Sequence, residues 1–219
     1  PFLYNIAHCF VVIIINNQLK HYGGDLAIAS YGVINRIVFV FAMIIMGLNQ
    51  GMQPITGYNY GAKQYDRMLR SFYLTCLYAT GVMAIIFVLG ECFPRQITQI
   101  FTHDINLIEQ TIVPMRIICS TMLIIGFQMV AGNFFTSIGM AGKSIFLSMT
   151  RQVLFLIPLL LFVPLLFDNP ILGVWWAIPI SDAMAAITAA IMIGIAIRRF
   201  RGLINEQEAW KVTCPPEPD

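Results

Sequence analysis

Six long apolar runs constrain this chain more than anything else in it. They cover residues 2–19, 26–50, 71–93, 112–138, 144–167 and 171–197, and together they hold five charged residues: Arg36, Glu91, Arg116, Arg151 and Asp182. A helix needs about 20 apolar residues to cross the hydrocarbon core of a bilayer. Each run meets that length. The apolar residues fall on all sides of each predicted helix, as helices need when they face lipid and one another. A large soluble helical core would need polar outer faces, which these runs lack. Composition agrees: 58% of the 219 residues are hydrophobic and 11% are charged, against about 25% charged in soluble domains. The predicted fold class is therefore an all-α membrane protein with six transmembrane helices, residues 1–200 forming one six-helix lobe.

The same numbers exclude other classes. A net charge of +2 is too small for a nucleic-acid partner. The five cysteines, Cys9, Cys76, Cys92, Cys119 and Cys214, are odd in number and include no C-x-x-C. They read as small apolar residues rather than as a disulfide or metal framework. The chain starts at Pro1 with no charged n-region or cleavage site, so it does not read as a signal peptide; it reads as a piece of a longer protein. H-E-x-x-H, G-x-S-x-G and P-loop motifs are absent, so an enzyme is not expected.

Short connections make neighbouring spans antiparallel, and their charges give a direction. Connections 51–70 and 139–143 and the segment 198–219 carry eight Lys and Arg: Lys63, Arg67, Arg70, Lys143, Arg198, Arg199, Arg201 and Lys211. The opposite side, 20–25, 94–111 and 168–170, carries Lys20 and Arg95. The positive-inside rule puts the first set, and both ends of the chain, in the cytoplasm. HYGGD at 21–25 predicts a tight turn. THDINLIEQ at 102–110 predicts an amphipathic helix on the outer interface. Pro158 and Pro164 predict kinks in span five. Trp175 and Trp176 suit the outer interface. Residues 201–219 read as a cytoplasmic tail, partly disordered through its Pro-rich end.

GMQPITGYNYGAKQYDR at 51–67 is unusually rich in Gly, Tyr, Asn and Gln for a linker. Pro54 predicts an end or kink of span two at Gln53. Gly57 and Gly61 would let the backbone turn, and Tyr58, Asn59 and Tyr60 suit the headgroup level. The wider stretch GLNQGMQPITGYNYGAKQYDRM, with Gln50 at its head, resembles a signature in the second half of multidrug and toxic compound extrusion (MATE) transporters. YGGDLAIASYGVINRI at 22–37, FFTSIGMAGKSIFLSMTRQVLFLIPL at 134–159 and GVWWAIPISD at 173–182 resemble that family in the same order. The resemblance covers nearly the whole chain. It implies spans seven to twelve, the C-terminal of two six-helix lobes. It also implies export of small amphipathic, often cationic compounds in exchange for H⁺ or Na⁺ by alternating access, in the cell's inner membrane, with membrane lipid and the N-terminal lobe as partners. Flipping or export of lipid-linked or polysaccharide precursors is the alternative. A Na⁺-coupled branch of the family carries acidic residues on the first and fourth helices of this lobe. Spans one and four here contain no Asp or Glu, so the coupling site is expected largely in the N-terminal lobe.

Within the spans, Asp182 stands out. A charge at mid-bilayer costs at least about 2.5–3.5 kcal/mol and needs a partner or water. The row Asp182, Ala186, Ala190, Gly194 predicts a close helix contact on that side. Arg36 lies at a similar depth in span two, so Asp182 and Arg36 are expected to form a buried ion pair or a coupling site. Arg151, like Glu91 and Arg116, reads as near a span end and able to snorkel. Asn5, His8 and Asn16 share one face of span one. Thr121 and Gln128 share a face of span four, with Asn133 a turn further on. These six are candidates to line a cavity, or else hydrogen-bond between helices. His8 has no partner at metal-ligand spacing.

Overall fold

The computed structural model describes residues 2–213, the side chains of 2–4, 208 and 210–213 excepted. The described residues are helical almost throughout: α1 (Phe2–Gly61), α2 (Tyr65–Cys92), α3 (Pro94–Phe101), α4 (Ile105–Cys119), α5 (Met122–Ser137), α6 (Ala141–Met149), a π-helical segment Thr150–Leu156, α7 (Ile157–Phe162), a 3₁₀ turn Val163–Leu165, and α8 (Pro170–Thr213). At 1.5 Å per residue α1 would be about 90 Å long, three times the hydrocarbon thickness. It is broken at Gly24, whose φ of 69° and ψ of −164° are not helical. A side chain would be strained there, which is why the HYGGD turn carries glycine. α1 therefore supplies two passes, and α2, α6 with α7, and α8 supply one each. The remaining pass is bent: α4 and α5 meet at 51°.

That bend lies where two hydroxyls turn back on the backbone. Ser120 Oγ donates to the Ile117 carbonyl at 2.7 Å and Thr121 Oγ1 to that of Ile118 at 3.4 Å. Such back-bonding competes with the helical ladder and bends helices. α4 starts at its cap, where Asp104 Oδ1 accepts from the Asn106 amide at 3.0 Å. Residues 105–110 are thus the first turns of span four and not a separate interfacial helix. The short separate helix is α3, just upstream, tied to α4 by an Arg95–Glu109 ion pair at 3.2 Å.

Pro54 does not end span two. α1 runs through it to Gly61. A proline removes one helical hydrogen bond, but the rest of the ladder and the packing of Met52, Thr56 and Asn59 in the interior hold the helix on either side. The reversal comes later, at 62–64, where Lys63 takes a left-handed φ of 57°. The Gln64 amide closes the turn on the Asn59 carbonyl at 2.9 Å. Around the two prolines of span five the helix type changes: the π segment ends at Leu156, just before Ile157–Pro158, and Pro164 sits in the 3₁₀ turn. α8 continues past residue 201 to Thr213, so the first part of the expected tail is helical. CPPEPD, with Cys214, lies outside the described residues.

Two anchor clusters fix depth. At one end a Cβ on Gly23 would lie 2.2 Å from Ile171 Cδ1, so the Gly24 break and the start of α8 share a level. Thr111 donates to Ser30 at 3.0 Å, and Tyr31 and Trp175 pack with centroids 6.3 Å apart, near that level. Trp175 is buried and Trp176 exposed. At the other end Phe200 stacks on Tyr65 at 5.6 Å and meets Tyr60 edge-on at 6.0 Å. A Cβ on Gly57 would lie 3.1 Å from the Ser137 carbonyl. Between these ends lies one apolar interior, in which Phe72, Phe134, Met83 and Met115 are fully buried. Cys119 is buried with them, whereas Cys9 and Cys92 are exposed.

Candidate functional site

The polar centre of the lobe is built where three helices meet. Pro158 cannot donate to the helix ladder, and its ring crowds the carbonyl four residues before it. The helix ahead of it widens into the π segment Thr150–Leu156. Inside that wide turn, two residues adjacent in sequence reach different neighbours. Arg151 turns to α8: its Nε lies 2.7 Å from Asp182 Oδ1. Gln152 turns to α1: its Nε2 lies 3.5 Å from His8 Nδ1. Ser181 Oγ donates to the Arg151 main-chain carbonyl at 3.2 Å.

The partner of Asp182 is therefore Arg151, not Arg36. Asp182 is 3% exposed at its side chain and Arg151 is 25% exposed. Arg151 is no snorkelling residue, because the π turn aims it into the lobe. The phase of α1 explains why Arg36 is excluded: Tyr31, Val33, Ile34 and Ile37 face the interior, which leaves Asn35 and Arg36 exposed. Along α8, Asp182 lies about 16 Å from Ile171 and about 27 Å from Phe200 at 1.5 Å per residue. The pair is deep in the membrane, and a charge there is tolerable because it is paired and hydrogen-bonded. His8 and Tyr31 both lie within electrostatic range of the same guanidinium.

The close helix contact on α8 is one position out of phase with the row expected from Asp182. Ala186 is buried, but Ala190 is exposed, and nothing lies within 4 Å of a Cβ placed on Gly194. The seam of close approach is Ala177, Ser181, Ala185 and Ala189, each at 0% exposure. Near the start of α8 backbone atoms come close: a Cβ on Gly173 would meet Pro164 Cα at 2.6 Å and the Val163 carbonyl at 2.9 Å.

The six cavity candidates separate. Asn5 and His8 are exposed, beside exposed Ile6, Phe10 and Ile13, and Asn16 is half-buried. Thr121 is spent on the bend. Asn133 is half-buried and donates to the Met129 carbonyl at 3.1 Å. Gln128 is 6% exposed, so it points into the lobe and is not on a surface shared with His8. The signature residues are the last turns of α1 rather than a loop. Gln50, Pro54, Tyr58 and Gly61 are exposed, Gln53, Gly57 and Tyr60 half-buried and Asn59 buried. Asn59 Nδ2 donates to the Ile55 carbonyl at 2.8 Å. What sequence reasoning missed is Gln152 and the inward aim of Arg151. The signal was there: an Arg-Gln pair seven residues into an apolar run and six before a proline.

Comparison with known proteins accords with this architecture. Residues 2–162 match the MatE family. Multidrug export protein MepA of Staphylococcus aureus strain MSSA476 is 26% identical over 193 residues, and that of Staphylococcus saprophyticus 24% identical over 192. Each match covers 88% of this chain and 42% of the relative, so the chain spans under half the length of the curated relatives it matches. Among solved structures, the MATE multidrug transporter DinF-BH is 37% identical with a TM-score of 0.75, over 88% of this chain and 43% of that one. A MATE in the bent conformation superposes with a TM-score of 0.84 at 19% identity, over 93% and 44%. The apolar spans make this an integral membrane protein, and the match across most of its length places the chain in the MatE family, the multidrug and toxic compound extrusion group that its motifs resemble.

Proposed function

We propose that this chain is the C-terminal six-helix lobe of a secondary active antiporter that exports amphipathic, often cationic compounds in exchange for H⁺ or Na⁺. The observation that carries this reading is the family match over residues 2–162, joined to relatives that are themselves named multidrug export proteins. Transport by alternating access needs a cavity between two lobes. The first arm of α1 offers a suitable wall. Asn5 and His8 supply polar contacts, and exposed Ile6, Phe10 and Ile13 beside them supply apolar ones, a mixture fitted to amphipathic ligands. Span one holds no Asp or Glu, and the one acidic residue of span four, Glu109, lies in its first turns, exposed and paired with Arg95, so the coupling carboxylate belongs in the N-terminal lobe. The Lys and Arg bias puts both ends of the chain in the cytoplasm.

Reconstitution tests this. The full-length protein, placed in liposomes under an imposed H⁺ or Na⁺ gradient, should move a cationic fluorescent dye against its concentration, and the isolated chain should not. Gradient-driven movement by the isolated chain would overturn the one-lobe reading. A full-length protein that binds no cationic dye and moves none under either gradient would overturn the efflux reading.

A further inference from the structure

A groove of about 540 Å³ runs between the start of α2 and the end of α8. It lies at the Phe200 end of the lobe, away from the Arg151–Asp182 pair. α2 lines it with Asp66, Arg70, Leu74 and Leu77, a stripe at helical spacing, and α8 contributes Arg201 and Ile204. Tyr73 edges it and is 44% exposed. We propose that this groove binds an anionic phospholipid, with the phosphate between Arg70 and Arg201 and an acyl chain along Leu74 and Leu77.

Charge and depth select that occupant. Arg70 and Arg201 are exposed, and neither has an ion-pair partner among the described residues; the ion pairs there are Arg95–Glu109 and Arg151–Asp182. Its lining holds two arginines and one aspartate, a net charge of +1, and Asp66 pairs with neither arginine. A basic pocket between spans at the membrane surface is suited to a lipid phosphate, and each nearby Lys or Arg is worth about 1 kcal/mol of attraction to anionic lipid. Arg201 follows Phe200, which packs on Tyr60 and Tyr65 at the helix ends. Arg70 lies about 8 Å along α2 from Tyr65, and Leu77 about 18 Å along, at 1.5 Å per residue. The basic end is thus at headgroup level and the apolar end at acyl level. Leu74 is 44% and Leu77 68% exposed, which leaves the apolar end open to lipid. A polar peptide would gain nothing from that end, and a free phosphate would not use it.

The test is lipid retention by the full-length protein, purified in detergent with phosphatidylglycerol or phosphatidylcholine and read by native mass spectrometry. Phosphatidylglycerol should be retained in preference. Arg70→Gln and Arg201→Gln should each weaken its retention about fivefold. Arg199→Gln, two residues away and about 200° round the helix, should not. Asp66→Asn should raise retention, a gain that misfolding cannot imitate. Equal retention of the two lipids, an equal loss in Arg199→Gln, or no gain in Asp66→Asn would each overturn the site. Displacement of the lipid by millimolar inorganic phosphate with no dependence on the acyl chains would assign the site to free phosphate and overturn the lipid reading.

Discussion

The Ser181 hydroxyl donates to the main-chain carbonyl of Arg151 at 3.2 Å, while the next residue, Asp182, takes the guanidinium of that same Arg151 at 2.7 Å. One residue of the π segment is thus held at backbone and side chain by two consecutive residues of α8. The contact fixes the rotation of the π turn against the last span. It also removes Arg151 from the apolar face that surrounds it.

Removing one partner of a buried pair leaves an uncompensated charge and costs about 3–5 kcal/mol, whereas replacing both is far milder. Arg151→Gln should sharply lower the folded yield and melting temperature of the detergent-purified full-length protein. Asp182→Asn should lower them less, because the charge it leaves behind, Arg151, is 25% exposed, whereas the Asp182 left by Arg151→Gln is 3% exposed. The double variant should recover much of the loss. Arg36→Gln should change stability by no more than about 0.5 kcal/mol, as befits an exposed site. Strictly additive losses at 151 and 182 would show that the two do not interact, and a coupling between 36 and 182 would restore the pairing expected from depth alone.

That expectation failed for a traceable reason. Depth along a span can be counted at 1.5 Å per residue, and it correctly marked Asp182 as a buried charge in need of a partner. Facing cannot be counted past a change of helix type. The π segment resets the phase of span five, so Arg151, which reads as a residue near a span end, turns inward. Likewise Pro54 reads as an end or kink of span two, yet interior packing on both sides carries α1 to Gly61. The six apolar runs were legible because bilayer thickness sets their length. The Gly24 break was legible because a left-handed residue in a tight turn calls for glycine. The seam Ala177, Ser181, Ala185 and Ala189 was not, because several small-residue rows compete on α8 and only the neighbouring helices decide between them.

Two glycines on α8 should behave oppositely. A Cβ on Gly173 would press on backbone atoms of Val163 and Pro164, which cannot move aside as a flexible side chain does. Gly173→Ala should therefore cost about 1–3 kcal/mol as overpacking. Gly194→Ala meets open space and should stabilise the helix by about 0.5–1 kcal/mol. Thermal unfolding of both variants in the same detergent checks this. Equal melting temperatures would mean that the 3₁₀ turn does not sit against Gly173.

Orientation can be read by chemistry. In a background lacking the native cysteines, Lys63→Cys should react with an impermeant thiol reagent only after the cells are opened. Lys20→Cys should react in intact cells. The eight-to-two Lys and Arg bias supports this direction. Lys63 and Lys20 are both exposed, so silence at either position would reflect sidedness rather than burial. Labelling of position 63 from outside would reverse the lobe.

Asn49 is a buried amide of α1. It is 2% exposed, and neither Nδ2 nor Oδ1 has a hydrogen-bond partner among the described residues. It lies between Ile45 and Met52, both buried, on the inner face of α1. Burying an unsatisfied amide costs about 1–3 kcal/mol, and an apolar residue of similar shape removes that cost. Asn49→Leu should therefore raise the melting temperature of the full-length protein, an unusual result for a core substitution. Asn49→Ala removes the amide too but leaves a void, so it should gain less or lose. If the amide is retained for transport, Asn49→Leu should be the more stable protein and the poorer exporter of a cationic dye in liposomes. A drop in melting temperature in Asn49→Leu would show instead that the amide is satisfied in the folded protein, and that its polar atoms contribute to stability.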